Sequence, residues 1–203
     1  MTTAIMDADR KAEDYALLQE IRVGSEEAFT RLVDRYKNRL FNFVFRMVRT
    51  REEAEDLVQE TFLRVFQHKN DFDPAFSFST WIYTIALNLV RNQLRRKKKV
   101  KFLELLDLEE TSEEPATEPF RAALGLWLEK EIEKLPAKYK APFLLREVEE
   151  LSYEEVAEVT GLPSGTVKSR VSRARMMLAK NLRPKRENLE ALAGRSPSFG
   201  RAY

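Results

Sequence analysis

The sequence predicts an all-α fold made of two small helical domains joined by a flexible acidic linker. Three observations lead there. Only six glycines occur in 203 residues, and no segment sustains the alternating apolar and polar pattern of strands. Apolar residues instead recur at helical spacing. Charge also changes sign abruptly at mid-chain: no acidic residue lies between Pro74 and Leu103, and no basic one from Glu104 to Pro119. The expected division is a first domain over 1–100, an acidic linker over 101–120, a second domain over 121–183 and a loose tail over 184–203.

The elements follow in order. A first helix is expected from Lys11 to Arg22, stopping at Gly24. Ser25 can cap the next, which runs to about Arg49 with Phe29, Val33, Tyr36, Leu40, Phe43, Val44 and Met47 on its apolar face. Thr50 with Glu53 reads as a capping box opening a helix through about His68. Asp73-Pro74 marks a loop from Lys69 to Phe78, and a long helix follows from about Ser79 to Lys98. In the acidic stretch, Glu104, Asp107, Glu109, Glu110, Glu113, Glu114 and Glu118 accompany the helix breakers Pro115 and Pro119. Helices are then expected over Phe120–Lys134 and Lys138–Glu149.

The next stretch is the most informative. Ser152 with Glu155 forms a second capping box, Gly161 falls where that helix must end, and Pro163 prevents one unbroken helix. The helix after Pro163 has two faces. Val167, Val171, Ala174 and Leu178 share one side. Ser169, Ser172, Arg173, Met176 and Lys180 lie opposite, flanked by Lys168, Arg175 and Arg170. No acidic residue occurs from Gly161 to Arg186. A basic run alone is usually a solvated face. With the turn, the cap and one-sided polarity it reads as a helix-turn-helix that puts its second helix in a DNA major groove. The DNA-contacting candidates are Lys168, Ser169, Arg170, Ser172, Arg173 and Arg175.

Composition excludes other classes. With no cysteine, disulfides and thiolate metal sites are ruled out, and His68 is the single histidine. No metal site and no cofactor are expected. There is no activated nucleophile, no glycine-rich phosphate loop, and no Glu-x-x-His pattern among the carboxylates of Glu52 to Glu60, so the chain is not expected to be an enzyme. The N-terminus lacks a signal-peptide core and no run is long enough to span a membrane, so a cytoplasmic protein without membrane insertion is expected.

Two faces of the first domain stand out. On the helix from Ser79, Trp81, Thr84, Ile85, Asn88, Arg91, Asn92 and Arg95 oppose an apolar side of Tyr83, Ala86, Leu87, Val90 and Leu94. Aromatics stack on bases, amides read base edges and arginines hold phosphates. Phe72, Phe76 and Phe78 in the preceding loop could line a pocket for an unstacked base. The alternative is that Trp81 and these phenylalanines only anchor the loop to the core. The cluster Arg95-Arg96-Lys97-Lys98-Lys99 with Lys101 favours nucleic acid through phosphate attraction. On the helix from Thr50, Asp56, Gln59, Glu60 and Leu63 form a second face. Taken alone, that face is an ordinary solvated surface with one stray leucine.

Two segments resemble one family. Asp56-Leu57-Val58-Gln59-Glu60-Thr61-Phe62-Leu63-Arg64-Val65-Phe66, followed by Phe78-Ser79-Thr80-Trp81-Ile82-Tyr83-Thr84-Ile85-Ala86-Leu87-Asn88, is similar to the second conserved region of bacterial sigma factors. Gly165-Thr166-Val167-Lys168-Ser169-Arg170-Val171-Ser172-Arg173-Ala174-Arg175 resembles their fourth region. The short chain, with nothing between them but a linker, looks like the extracytoplasmic function (ECF) group. Two positions depart from the family pattern: Thr84, where arginine is common, and Ser172, where a bulkier residue is frequent. Both lie on the predicted DNA faces and so concern which promoter sequence is read.

The resemblance implies a role. The Asp56, Gln59, Glu60 and Leu63 face would dock on the clamp helices of core RNA polymerase. The first domain would melt and read the downstream promoter element, its loop capturing a flipped base of the non-template strand. The second would read the upstream element as duplex, and the acidic linker would thread toward the channel that later carries RNA. Such factors are typically restrained by an anti-sigma factor. A stand-alone helix-turn-helix regulator is the competing reading, and it would have no need of the Trp81 face.

Overall fold

The computed structural model describes the backbone of residues 2–103 and 120–193, and the side chains of residues 10–97 and 125–183. The acidic stretch 104–119, the side chains of Lys98 and Lys99, and the tail beyond 193 lie outside the described residues. All regular structure among the described residues is helical: α1 (Thr2–Arg22), α2 (Glu26–Val48), α3 (Arg51–Gln67), α4 (Phe78–Leu103), α5 (Phe120–Lys134), α6 (Ala137–Glu147), α7 (Tyr153–Thr160) and α8 (Ser164–Ala193). Helices α1 to α4 pack as one set and α5 to α8 as another, and the two sets touch chiefly where α7 lies on α4 and where α6 meets α2.

Local chemistry explains most boundaries. Ser25 caps α2 by accepting from the Ala28 N–H at 3.2 Å, and Glu26 and Glu27 complement the positive end of the helix. Arg49 closes it in the left-handed region at φ 68°. The capping box expected at Thr50 is not made: Thr50 stands at the N-cap without a side-chain cap bond. Glu53 keeps only a side-chain contact with the Thr50 hydroxyl and reaches across to α4, where it accepts from Gln93 and Lys97. A charged partner on a neighbouring helix outweighs a local cap.

The first core is built from the faces the helical period assigns. Tyr36, Leu40, Phe43 and Val44 of α2 are fully or almost fully buried, together with Leu18 and Ile21 of α1 and Ile82, Tyr83, Ala86 and Val90 of α4. Phe43 meets Tyr83 edge-on at 5.3 Å. Each large apolar side chain so buried contributes about 1.5–3 kcal/mol.

Three helices are longer than their sequence signals suggest. α1 starts at Thr2, α4 continues to Leu103, and α8 runs through Pro184 to Ala193. The stop expected at Arg183-Pro184 is therefore not where α8 ends. A proline forfeits one backbone bond and crowds the preceding turn. Neither effect is enough to end a helix already propagated from Ser164.

Lys140 of α6 is buried at the junction of the two sets. Its ammonium donates to the Glu133 carbonyl at 2.7 Å and more weakly to the Arg46 carbonyl at 3.4 Å. Burial, aided by the nearby Arg49 charge, lowers its pKa to about 8. The unfolded chain holds that proton to about 10.4. Between those values the unfolded state binds more protons, so this group makes stability rise with pH. Wild type should gain on the order of 1–3 kcal/mol relative to Lys140→Met between pH 7 and 10. Urea melts of both proteins across that range check it, and parallel pH profiles would refute it.

Candidate nucleic-acid interface

The helix-turn-helix forms as its local signals require. The Ser152 Oγ accepts from the Glu155 N–H at 3.1 Å, and the Glu155 carboxylate accepts from the Ser152 N–H at 2.9 Å. Gly161 ends α7 in the left-handed region at φ 67°, a conformation that glycine adopts without steric cost. Its N–H donates to the Ala157 carbonyl at 2.9 Å. The Pro163 carbonyl then accepts from Thr166 and Val167, starting α8.

Val167, Val171 and Ala174 are fully buried and Leu178 almost so, which fixes the rotation of α8. The opposite face is therefore outward. Lys168, Ser169, Ser172, Arg173 and Arg175 are exposed and Arg170 is half-buried. Arg175 pairs with Glu147 at 2.7 Å, and Ser169 donates to the Thr166 carbonyl at 2.9 Å. Arg173 sits beside the Tyr139 hydroxyl and, with Lys138, holds its pKa below the usual range.

On α4 the predicted face is gathered but not uniform. Trp81 is half-buried, with its ring 5.3 Å from Phe72 and 5.9 Å from Phe78. Phe72 and Phe78 are themselves buried, whereas Phe76 is exposed. The three line one open cavity of about 380 Å³, closed on its far side by Lys11, Ala12 and Tyr15 of α1; Phe72 and Phe78 also pack into the core, while Phe76 stands at the rim. A cavity of about 290 Å³ lies on this side, lined by Phe72, Phe76, Thr80, Trp81, Thr84 and, from α7, Glu158. Asn88, Asn92 and Arg95 are exposed. Arg91 is half-buried and donates to the Thr160 carbonyl at the end of α7, at 2.9 Å. Burial, with the neighbouring Arg170 and Arg95 charges, lowers its pKa.

The α3 face is open. Asp56, Gln59 and Leu63 are exposed, and Glu60 is half-buried in a 2.7 Å pair with Arg64. The sequence reading missed Phe66. It is exposed one turn beyond Leu63, stacks edge-on to Phe29 at 5.2 Å and has Lys69 over its ring at 4.3 Å. Its i+3 spacing from Leu63 was the available signal. Among the described residues, no group of three or more His, Cys, Asp or Glu side chains is placed to hold a metal ion. No described helix is long and apolar enough to cross a membrane.

Comparison with known proteins agrees with this arrangement. Residues 32–100 match the family model Sigma-70 region 2, and residues 125–178 match Sigma-70, region 4. The chain is 36% identical to the ECF RNA polymerase sigma factor SigW of Bacillus subtilis, over 82% of this chain and 95% of that one. It is 32% identical to the ECF RNA polymerase sigma-E factor of Haemophilus influenzae, covering 84% of this chain and 96% of the relative. Among solved structures, the sigma factor RpoE in complex with the anti-sigma factor NepR from Bartonella quintana aligns with a TM-score of 0.64 at 26% identity, over 76% of this chain and 96% of that one. CnrH, solved with the cytosolic domain of CnrY, shares the fold with a TM-score of 0.63 at 24% identity, over 85% of this chain and 98% of that one. The chain belongs to the sigma-70 family of RNA polymerase sigma factors, in its extracytoplasmic function group.

Proposed function

We propose that the chain is a promoter-specificity subunit: it joins core RNA polymerase and directs initiation by recognising and opening promoter DNA. The observation that carries the reading is the presence of two unlike nucleic-acid faces on one chain. The α8 face is polar, convex and cationic, suited to the edges of paired bases. The α4 face offers an indole, amides and arginines beside a cavity, suited to bases out of the stack. A stand-alone regulator needs only the first. In this reading residues 1–100 bind polymerase and the separated strand, residues 121–183 read the upstream duplex, and 101–120 link them. An anti-sigma factor is the expected restraining partner, the chain acts in the cytoplasm, and it performs no catalysis of its own.

The test is order of addition. The chain alone should give weak, salt-sensitive retention of promoter duplex. With core polymerase it should form a complex that survives a polyanion challenge. Tight sequence-specific binding by the chain alone, unchanged by polymerase, would favour the regulator.

The faces of α8 can be separated by substitution. Arg173→Ala should cost about 1–3 kcal/mol in upstream-element recognition and leave folding intact. Val171→Ala, which removes a fully buried side chain, should lower stability and leave promoter preference unchanged. Promoter-variant binding alongside thermal melts decides; the opposite pattern would mean the face assignment is reversed.

A further inference from the structure

The strand-reading face is partly covered in this structure: α7 lies along α4, over Arg91 and the edge of the cavity beside Trp81, while Asn88, Asn92 and Arg95 stay exposed. At the start of α7, the Glu155 carboxylate accepts from Ser77 at 2.9 Å and pairs with Lys11 at 3.0 Å. At its end, the Thr160 carbonyl accepts from Arg91. Between them, Glu158 helps close the cavity beside Trp81 and Thr84. One carboxylate thus does two things. One oxygen of Glu155 completes the capping box of its own helix, and the other reaches across to the loop that precedes α4.

We infer that α7 is an intramolecular cover, so that docking of the helix-turn-helix on α4 and capture of a separated DNA strand by α4 exclude each other. The inference rests on the reading of α4 as a strand-binding face. It adds that the free chain covers the Arg91 and Trp81 part of that face with its own second nucleic-acid module.

The character of the joint supports a cover that opens. Away from α7, ion pairs join the two sets beside a shared apolar core: Arg39 on Glu149 at 3.1 Å, Arg46 on Glu129 at 2.6 Å and Arg49 on Glu133 at 2.6 Å. Glu149 is buried and also accepts from the Tyr83 hydroxyl. Pairs that remain partly exposed hold weakly and are screened by salt. Closure also brings Arg91 of α4 toward Arg170 of α8, a like-charge approach that opposes it. A nucleic-acid strand supplies phosphates for these same arginines, which favours the open state when a strand is present.

The full chain has no cysteine, so a donor and an acceptor dye can be placed uniquely on Asn38→Cys and Ala179→Cys, both exposed positions. The probe is a pool of single-stranded 20-mers of randomised sequence. Adding the pool should lower energy transfer in the wild-type background. Glu155→Gln keeps the capping box, because glutamine serves at that position, but removes the charge facing Lys11. It should lower transfer without DNA and tighten strand binding, read by anisotropy, about three- to tenfold. Arg39→Ala, remote from the strand face, should act in the same direction. Strand binding at unchanged transfer would overturn the cover, as would Glu155→Gln or Arg39→Ala with wild-type transfer and affinity. Promoter-directed transcription by wild type with core polymerase, run in parallel, reads the underlying role separately. If transcription is present and transfer stays fixed, the cover is discarded and the role is kept.

Discussion

Replacing Asp56, Glu60 and Leu63 together with alanine should lower affinity for core RNA polymerase by about thirtyfold or more, with helicity unchanged. A small apolar centre ringed by charge carries binding energy out of proportion to its area, and truncating such a cluster costs about 2 kcal/mol or more. Asp56 and Leu63 are exposed, and the one partner of Glu60 is Arg64 on the same helix. None of the three belongs to the core, so the fold should not register the loss. Phe66, one turn on, extends the apolar centre, and Phe66→Ala should add to the defect. Capture of polymerase by tagged variants, with circular dichroism as the control, reads both quantities. Capture at wild-type affinity would mean that polymerase docks elsewhere.

Trp81→Ala should impair promoter opening by about tenfold or more while leaving initial duplex binding nearly intact. Loss of one base-stacking platform costs about 1–3 kcal/mol, and that cost falls only on steps where a base leaves the duplex. The packing of Trp81 on Phe72 and Phe78 supplies the competing explanation, that the ring merely holds the loop. Trp81→Phe separates the two. A smaller ring still stacks on a base, so opening should largely recover, although part of the indole's packing is lost. Permanganate reactivity of thymines beside gel-shift affinity on one promoter gives the comparison. Equal losses in both assays, unrelieved by phenylalanine, would assign Trp81 to the loop anchor.

What could be read from the sequence was what local chemistry determines. The Ser152–Glu155 box, the left-handed Gly161 and the buried Val167–Val171–Ala174 stripe depend on neighbours within four residues, and the structure has them as expected. The Thr50–Glu53 box has the same local pattern but is not formed, because Gln93 and Lys97 claim the carboxylate from another helix. The joint between the two helix sets had no sequence signature. Arg39 and Glu149 lie far apart in the chain, and neither breaks a helical pattern or sits in a motif. The second use of Glu155 was hidden for a related reason: its local role already accounted for it. Phe72, Phe76 and Phe78 looked equivalent as a trio in one loop. Their burial differs because Phe72 packs on Trp81 of α4, and Phe78, the first residue of α4, packs on Tyr36 of α2, whereas Phe76 stays at the rim.

The central claim, that this chain directs polymerase to promoters, is tested most directly by transcription from a pool of genomic fragments with core polymerase and the purified full-length chain, mapping transcript 5′ ends. The account predicts starts at defined positions, each downstream of a shared pair of sequence elements, that vanish when the chain is omitted or carries the Asp56, Glu60 and Leu63 substitutions. Starts identical with and without the chain, or no transcripts despite tight binding of the chain alone to a duplex site, would contradict it.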